Sequence, residues 1–543
     1  MNPTTFTEQE IKFRLPEGGD PGRIRATIEA AGFRLEPEAA VTHEDRYLDT
    51  EDWVLFRAGI ALRLRADGRR VRLEAKTLRS RSDEAMVRTE WAQDAPVGGE
   101  GAGAGGDPPW DAAALEPGPV TALLWPLRGL GVPERLRVRA RIRNERECFR
   151  WLRGDAAEGA AALGSVTVDH VALPDGPGAS DLKRRFDEVE VELSNGNREA
   201  LVEVRRAVES GLGLLANVDS KLKSALAAAG LTAPVRDERA FAVTPGDRLV
   251  DVAWKTLARQ FTRIEWNEPG SRLGVDAECV HDMRVATRRA RMALEVFADA
   301  LPEERRQRFA EELRFVGRAL GRVRDLDVGL ERVAAMEEEA GGAGSARGAG
   351  DEERAALRVF AQGLSIRRER RRLELIEALD SERHAGLIAI MREWIAEGPP
   401  DPASVAARGV PAFYAGPRTV AEAERAMEAA YAEAEADPAP EKLHALRLAA
   451  KKARYSLEFF APVIGPVAAA RAKRIVALQD FLGDHQDAVT LLARLEKYAR
   501  TIPRRDRSLT LGAGRALGAL ERATRVRRSD LRRAWAEVGP AAG

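Results

Sequence analysis

The sequence predicts a multidomain α+β chain: an antiparallel β-structure first, then an all-α region built from a repeat. Three observations carry this. The first half alternates charged and apolar residues with period two, as half-buried strands do. From Asp247 to about Trp535 apolar residues recur at spacings of three and four, as amphipathic helices require. Inside that helical half one segment occurs twice.

The strand-like segments are EQEIKFRL (8–15), IALRLR (60–65), RVRLEAK (70–76), MVRTEWA (86–92), RVRARIR (137–143), SVTVDHVAL (165–173) and EVEVEL (188–193). Helical spacing interrupts them near 22–31 and 198–211, and GGEGAGAGGDPP (98–109) reads as a loop. The polar positions of each strand are nearly all of one charge type. Glu8, Glu10 and Lys12 share a face, as do Arg63 and Arg65, and Glu188, Glu190 and Glu192. Such strands could close into a barrel with a charged lumen, since alternate residues point inward. They could equally form a sheet with one solvated charged face.

In the second half, His281-DMRVATRRARMALEVF matches His444-ALRLAAKKARYSLEFF. Further on, ALGRVRDLDV (319–328) matches FLGDHQDAV (481–489). At about 100° per residue, His281, Arg284, Arg288 and Arg291 fall within roughly 80° of one helix face. His444, Arg447, Lys451 and Arg454 do the same in the second copy. Each set is a cationic ridge almost free of acids, although like charges at i,i+3 and i,i+4 repel. A doubled ridge suits a polyanion, whereas a solvated face balanced by acids on neighbouring helices is the plainer reading. Glu295 and Glu458 are placed to orient arginines by i,i+4 pairing. Nucleic acid is disfavoured as the anion. Single-strand binding leans on aromatic platforms, and the ridges offer only Tyr455. A metal bound by His281 or His444 is also disfavoured, since neither ridge has a second His or a carboxylate at i+3 or i+4.

Composition bounds the rest. The 543 residues carry 86 basic and 86 acidic side chains, and 75 of the basic ones are arginine. Residues 1–230 hold 33 basic and 38 acidic residues; residues 231–543 hold 53 and 48. The zero net charge therefore joins two unlike halves. Two cysteines exclude a disulfide framework or a cysteine metal site. The N-terminus lacks the basic and apolar regions of a signal peptide, and no run of 18 apolar residues exists to span a membrane. A cytoplasmic protein is expected, with domains at 1–230 and 247–543, a linker at 231–246, and repeats at about 247–340 and 351–540. The sequence fixes no oligomeric state.

Both halves resemble known families. Glu8-Gln9-Glu10-Ile11-Lys12 matches the Glu-x-Glu-x-Lys signature of the CYTH, or triphosphate tunnel metalloenzyme, family. RYLDTED (46–52), Gly59-IALRLR, EAKT (74–77), VRTEW (87–91), VTVDHV (166–171), EVEVEL and Ser220-Lys221 follow in family order. The helical half is similar to the CHAD domain, through His-x-x-Arg-Val-x-x-Arg-Arg-x-Arg at 281–291 and Arg-Asp-Leu-Asp-Val at 324–328. The pairing resembles bacterial CYTH–CHAD proteins, inorganic triphosphatases among them.

The resemblance implies an eight-stranded antiparallel tunnel with charged residues pointing in. Lys12, Arg63, Arg65, Lys76, Arg88, Arg146 and Lys221 would bind triphosphate, with Arg143 and Arg141 as alternatives to Arg146. Glu8 and Glu10 would hold Mg²⁺ or Mn²⁺, hard cations that take oxygen ligands. Asp169, Glu188, Glu190 and Glu192 would line the tunnel, some of them binding metal or positioning water. No residue is singled out as general base. Tyr47 and Trp91 are lumen or core. The implied activity is metal-dependent hydrolysis of inorganic triphosphate, with polyphosphate bound by the helical ridges and polyphosphate granules as a place of association. The alternatives are a polyphosphate-binding or targeting protein with little catalysis, and a thiamine triphosphatase or adenylate cyclase of the same fold.

Overall fold

The computed structural model describes residues 4–539 apart from segments at 68–69, 79–85, 96–115, 158, 175–181, 195–197, 218, 229, 231–233, 341–348, 408 and 504. The Gly/Ala-rich loop at 98–109 therefore lies outside the described residues. The chain divides into two compact units, Met1–Val235 and Arg236–Gly543.

Nine strands occur among the described residues of the first unit: β1 Thr4–Arg14, β2 Phe33–Pro37, β3 Val41–Asp49, β4 Ile60–Ala66, β5 Val71–Thr77, β6 Met86–Asp94, β7 Arg137–Arg153, β8 Gly164–Pro174 and β9 Leu182–Leu193. They run β2-β7-β3-β4-β5-β6-β1-β9-β8, and β7 also pairs with β8. That last pairing closes eight antiparallel strands into a barrel, with β2 added to the far end of the 17-residue β7. Strands β2 and β3 escaped the sequence reading because their charged and apolar residues do not alternate cleanly.

Five helices accompany the barrel: α1 Pro21–Ala30, α2 Val54–Arg57, α3 Pro119–Leu124, α4 Glu199–Leu212 and α5 Lys221–Ala228. Alternation sorts each strand's residues. Ile11 and Phe13 of β1, Val166 and Val168 of β8 and Val189 and Val191 of β9 face outward. There they pack against Ile24 and Ile28 of α1 and Leu201, Val204 and Val208 of α4. The intervening residues point into the lumen. Helix α5 sets Leu222, Ala225 and Leu226 against the inward residues Tyr47, Ala61 and Ile142, so part of the barrel interior is apolar and filled.

The second unit is helical: α6 Leu249–Leu273, α7 Ala277–Val296, α8 Glu303–Ala340, α9 Ala349–Leu379, α10 Glu382–Glu397, α11 Ala412–Ala436, α12 Pro440–Ile464, α13 Pro466–Ala499, α14 Arg507–Ala523 and α15 Arg528–Val538. Its ten helices among the described residues form two sets of five, joined where α14 packs on α9. Helices α6, α7, α8 and α9 pack in sequence, with α10 against α6 and α8; α11, α12, α13 and α14 do likewise, with α15 against α13 and α11. The first set therefore runs past the expected boundary at 340–351 and takes in α9 and α10. Two further boundaries differ from expectation. Residues 236–246 belong to the helical unit, where Phe241 packs on Trp254 at 5.6 Å. The Pro- and Gly-rich stretch at 398–418, which reads as loop from composition, gives way to α11 at Ala412, with Pro417 inside the helix.

Candidate active site and a second cationic site

The barrel lumen holds a cavity of about 230 Å³. Glu8, Glu10, Lys12, Arg63, Arg65, Lys76, Arg88, Arg146, Glu190, Glu192 and Lys221 all line it. The register explains how residues far apart in sequence meet there. Strand β1 sets Glu10 opposite Glu192 and Lys12 opposite Glu190 on β9, and Glu8 opposite Arg88 on β6. Strand β5 sets Glu74 opposite Arg63 and Lys76 opposite Glu90.

The cations are held by acids. Arg65 donates two bonds to Asp45 at 2.7 and 2.8 Å, and Arg63 donates to Glu74 at 2.8 and 2.9 Å and to Asp45 at 3.4 Å. Lys12 donates to Glu190 at 2.5 Å. Arg146 bridges Asp169 (2.6 and 2.8 Å) and Glu190 (2.8 Å), and Lys221 donates to Asp169 at 2.5 Å. Although burial opposes it, Asp45, beside two guanidinium groups, stays well below the usual carboxylate range.

The carboxylates fall into two kinds. Burial would raise both Glu190 and Asp169, but surrounding cations hold them low. Around Glu8 the balance reverses. Burial pushes its carboxyl up to about 8; Lys76 opposes this, while Glu90, Glu10 and Glu192 add to it. Glu192 is likewise raised, by burial first. Glu8, Glu10 and Glu90 share Lys76 as a cation partner. At Glu8 and Glu192 burial thus outweighs the positive charge nearby, whereas Glu10, although buried, is held low by Lys12, Lys76 and Arg88.

Several expectations change. Asp169 and Glu188 lie behind the lining, fully buried. Asp169 anchors Arg146, Lys221 and Asn144, and Glu188 accepts from Asn217 at 3.4 Å. Arg146 is the β7 cation that points inward; Arg143 and Arg141 lie on the opposite parity and are exposed. Tyr47 is both lumen and core, and Trp91 has the outward parity of β6. Asp45, Glu74 and Glu90 were missed. The signal was present, since each shares parity with a named residue: Asp45 with Tyr47, Glu74 with Lys76, and Glu90 with Arg88. Looking for one charge type per strand hid them, because the inward faces of β5 and β6 mix signs.

In the helical unit the two ridges converge. Burial pushes Lys451 down to about 7, helped by Arg447, Arg288, Arg284 and Arg454 around it. Arg284 and Arg447 are lowered too, by burial first. Residues of α7 and α12 thus share one cationic site, flanked by the repeat-related Asp325 and Asp487; Arg284 lies 3.3 Å from Asp325. In the first copy of the Leu-Gly-x-x-x-Asp segment (320–325) the glycine has a reason: a Cβ on Gly321 would overlap the Arg284 guanidinium, whereas one on Gly483 would meet Arg447 only at 3.6 Å. Tyr455 is fully buried, so it offers no stacking platform; its hydroxyl accepts from Arg288 at 2.9 Å.

Glu458 pairs with Arg289 (2.5 Å) and Arg454 (3.3 Å), whereas Glu295 is exposed. His281 is half-buried, His444 exposed and Arg291 half-buried, and none of the three is among the cations that act on Lys451. Glu278, His281 and Asp282 bring ligand atoms within 4.8 Å of one another. The sequence reading, which looked only downstream of the histidine, missed that grouping.

A model of the CYTH domain matches residues 7–221, and one of the CHAD domain matches residues 255–496. The chain carries a CYTH domain followed by a CHAD domain. The CHAD part is similar to the CHAD domain from the plant Ricinus communis, at 24% identity and TM-score 0.43, over 56% of this chain and 96% of that one. It is also similar to PptA from Streptomyces chartreusis, at 21% identity and TM-score 0.43, over 54% and 100%. The CYTH part is similar to HpAC1 from Hippeastrum, a candidate adenylyl cyclase with a dominant triphosphatase activity. That likeness has 18% identity and TM-score 0.28, over 42% and 98%. Among curated proteins no relative matches.

The CYTH domain points to an enzyme of the triphosphate tunnel hydrolase kind, and such domains generally depend on a divalent metal. The residues fit one. Glu8, Glu10, Glu90 and Glu192 supply the oxygen donors that hard cations take, and a divalent charge would relieve the crowding that lifts Glu8. No helix among the described residues is long and apolar enough to cross a membrane.

Proposed function

We propose that the CYTH tunnel hydrolyses inorganic triphosphate with Mg²⁺ or Mn²⁺, and that the CHAD site binds polyphosphate. One observation carries the first part. The cavity is small and lined mainly by charged residues: about 230 Å³ against the ~300–1,000 Å³ typical of pockets for drug-sized organic ligands. Among its described lining residues Tyr47 is the one aromatic. A ligand made only of phosphate groups matches it better than a nucleotide or a thiamine ester.

Lys12, Arg63, Arg65, Lys76, Arg88, Arg146 and Lys221 come from five strands and a helix, so they can grip one short anion from several sides. Their present acid partners keep them pointed inward, a preorganised field for the charge that builds on the leaving diphosphate. Glu8, Glu10, Glu90 and Glu192 would hold the metal, which when bound neutralises phosphate charge and activates water. Asp169, Asp45 and Glu74 then hold the phosphate-binding cations in place. Glu10→Ala, shown folded by circular dichroism, should lose metal-dependent phosphate release from triphosphate. Retained activity would contradict the assignment.

Polyphosphate binding by the CHAD site rests on the convergence of Arg284, Arg288, Arg447, Lys451 and Arg454. Burial first, and then its cationic neighbours, disfavour the charged form of Lys451, and a polyanion in the site would offset the repulsion. That no exposed aromatic side chain lies on the ridges favours a plain phosphate chain over single-stranded nucleic acid. A cytoplasmic protein that associates with polyphosphate granules agrees with this reading.

A further inference from the structure

Beside the converged ridges, helix α8 carries a second basic feature. Arg306, Gln307, Glu311, Arg314 and Arg318 of α8, with Arg383 of α10, line an open groove of about 550 Å³. Its ends are fixed. Arg306 is held by Glu303 (2.6 and 2.8 Å). Arg383 is held by Glu312 (2.6 Å) and Glu311 (3.1 Å) and lies 4.5 Å over the ring of Phe315. Between them stand Arg314 and Arg318, exposed, with no ion-pair partner among the described residues. They are one helical turn apart, where like charges repel by a few tenths of a kcal/mol.

The groove is aligned with the ridge site. From Arg318 to Asp325 is seven residues, which returns to within about 20° of the same face and about 10 Å further along the helix. Helices α7 and α8 run antiparallel, because Gly321 faces Arg284 while a Cβ on Gly317 would lie 3.3 Å from Thr287. One turn further, that register carries Arg291 to the level of Arg314. The ridge cation that the converged site leaves out is therefore the one nearest the groove.

The repeat supplies the contrast. At the offset of 162 residues, the counterparts of Arg306, Arg314 and Arg318 are Ala468, Val476 and Asp480. Core positions stay matched at that offset: Leu313 with Ile475, Val316 with Leu478 and Leu320 with Leu482, all buried. The fold therefore does not require arginines here, and a general arginine bias would have marked both copies.

We infer that this groove is a second polyanion subsite, present in the first repeat only. It would continue the CHAD site so that a long phosphate chain runs from Arg284 past Arg291, Arg318 and Arg314 to Arg306 and Arg383. The inference rests on the polyphosphate reading of the ridges. From the level of Asp325 to Arg306 the path covers about 28 Å of helix, far more than a triphosphate spans. The groove therefore makes affinity rise with chain length.

The test uses the full chain in EDTA, with linear polyphosphates of graded length from tripolyphosphate upward. Arg314→Gln with Arg318→Gln should weaken long-chain binding at least tenfold and leave the shortest probe unchanged. The pair Arg418→Gln with Arg533→Gln, which removes equal charge from exposed sites elsewhere on the unit, should change neither. An unchanged long-chain affinity, an equal loss at every length, or an equal loss in the control pair each overturns the subsite. Arg284→Glu with Arg447→Glu separates the two claims. If that variant binds every length as the wild type does, the ridge reading falls, and the subsite with it. If it loses binding while the groove variant does not, only the subsite falls.

Discussion

At the scale of single residues, the tunnel's cations depend on acids that lie behind its lining. Asp45 holds both Arg63 and Arg65 from a fully buried position. Asp45→Asn keeps the size but removes the charge that holds Arg65, while Arg63 keeps Glu74; breaking one buried pair costs on the order of 3 kcal/mol. We expect a matching loss in urea unfolding, and a raised KM for triphosphate as Arg65 loses its aim. Such partners were only half legible in the sequence. Parity placed Asp45, Glu74 and Glu90 on inward faces, yet nothing in one chain tells a cation's anchor from a metal ligand. That distinction is made by register, which sets Glu74 opposite Arg63 and Glu10 opposite Glu192.

Lys451 gives a residue-scale prediction about pH. Its ammonium sits among Arg284, Arg288, Arg447 and Arg454 and titrates near 7 in the free protein. A bound polyanion favours the charged form, so the bound pKa is higher. Below about pH 7 the lysine is charged in both states and affinity is at its plateau. Above it, binding must take up a proton, and affinity falls by up to about tenfold per pH unit. Titrations with long-chain polyphosphate between pH 6 and 9 should show that decline, and Lys451→Met should flatten it.

At the scale of elements, close helix contacts set where the cations lie. Gly321 on α8 leaves the space that the Arg284 guanidinium occupies on its way to Asp325. Gly321→Ala would gain about 0.5–1 kcal/mol of helix stability but push the arginine aside. We expect an unchanged or slightly raised Tm with polyphosphate affinity about tenfold weaker, a loss of ~1.4 kcal/mol. Calorimetry and a binding titration on one sample would read both. The helical periodicity and the duplicated motif made α7, α8, α12 and α13 legible from the sequence. The glycine's purpose was not, because it depends on which helix packs across it. Strands β2 and β3 were illegible for a related reason: β3 mixes inward Asp45 and Tyr47 with Leu48 beside a register shift at Tyr47/Leu48, which breaks the alternation.

At the scale of the whole molecule, a net charge of zero conceals two opposite ways of arranging cations. The barrel surrounds its cations with acids, so the first 230 residues are acidic overall. The helical unit gathers cations from two repeats and leaves them in excess, which adds to the burial that lowers the pKa of Lys451. Closure of the barrel makes the first arrangement possible, and it was the one large feature that pattern alone left open: the same alternation would serve a sheet with a wet charged face. The β7–β8 pairing decides it, and with it the size of the cavity.

That size leads to the most direct test. Phosphate release with Mg²⁺ or Mn²⁺ should be measured on tripolyphosphate, ATP and thiamine triphosphate side by side. A tunnel of about 230 Å³ lined by charge predicts the highest kcat/KM on tripolyphosphate and no turnover without metal. Equal or faster turnover of either organic substrate would contradict it.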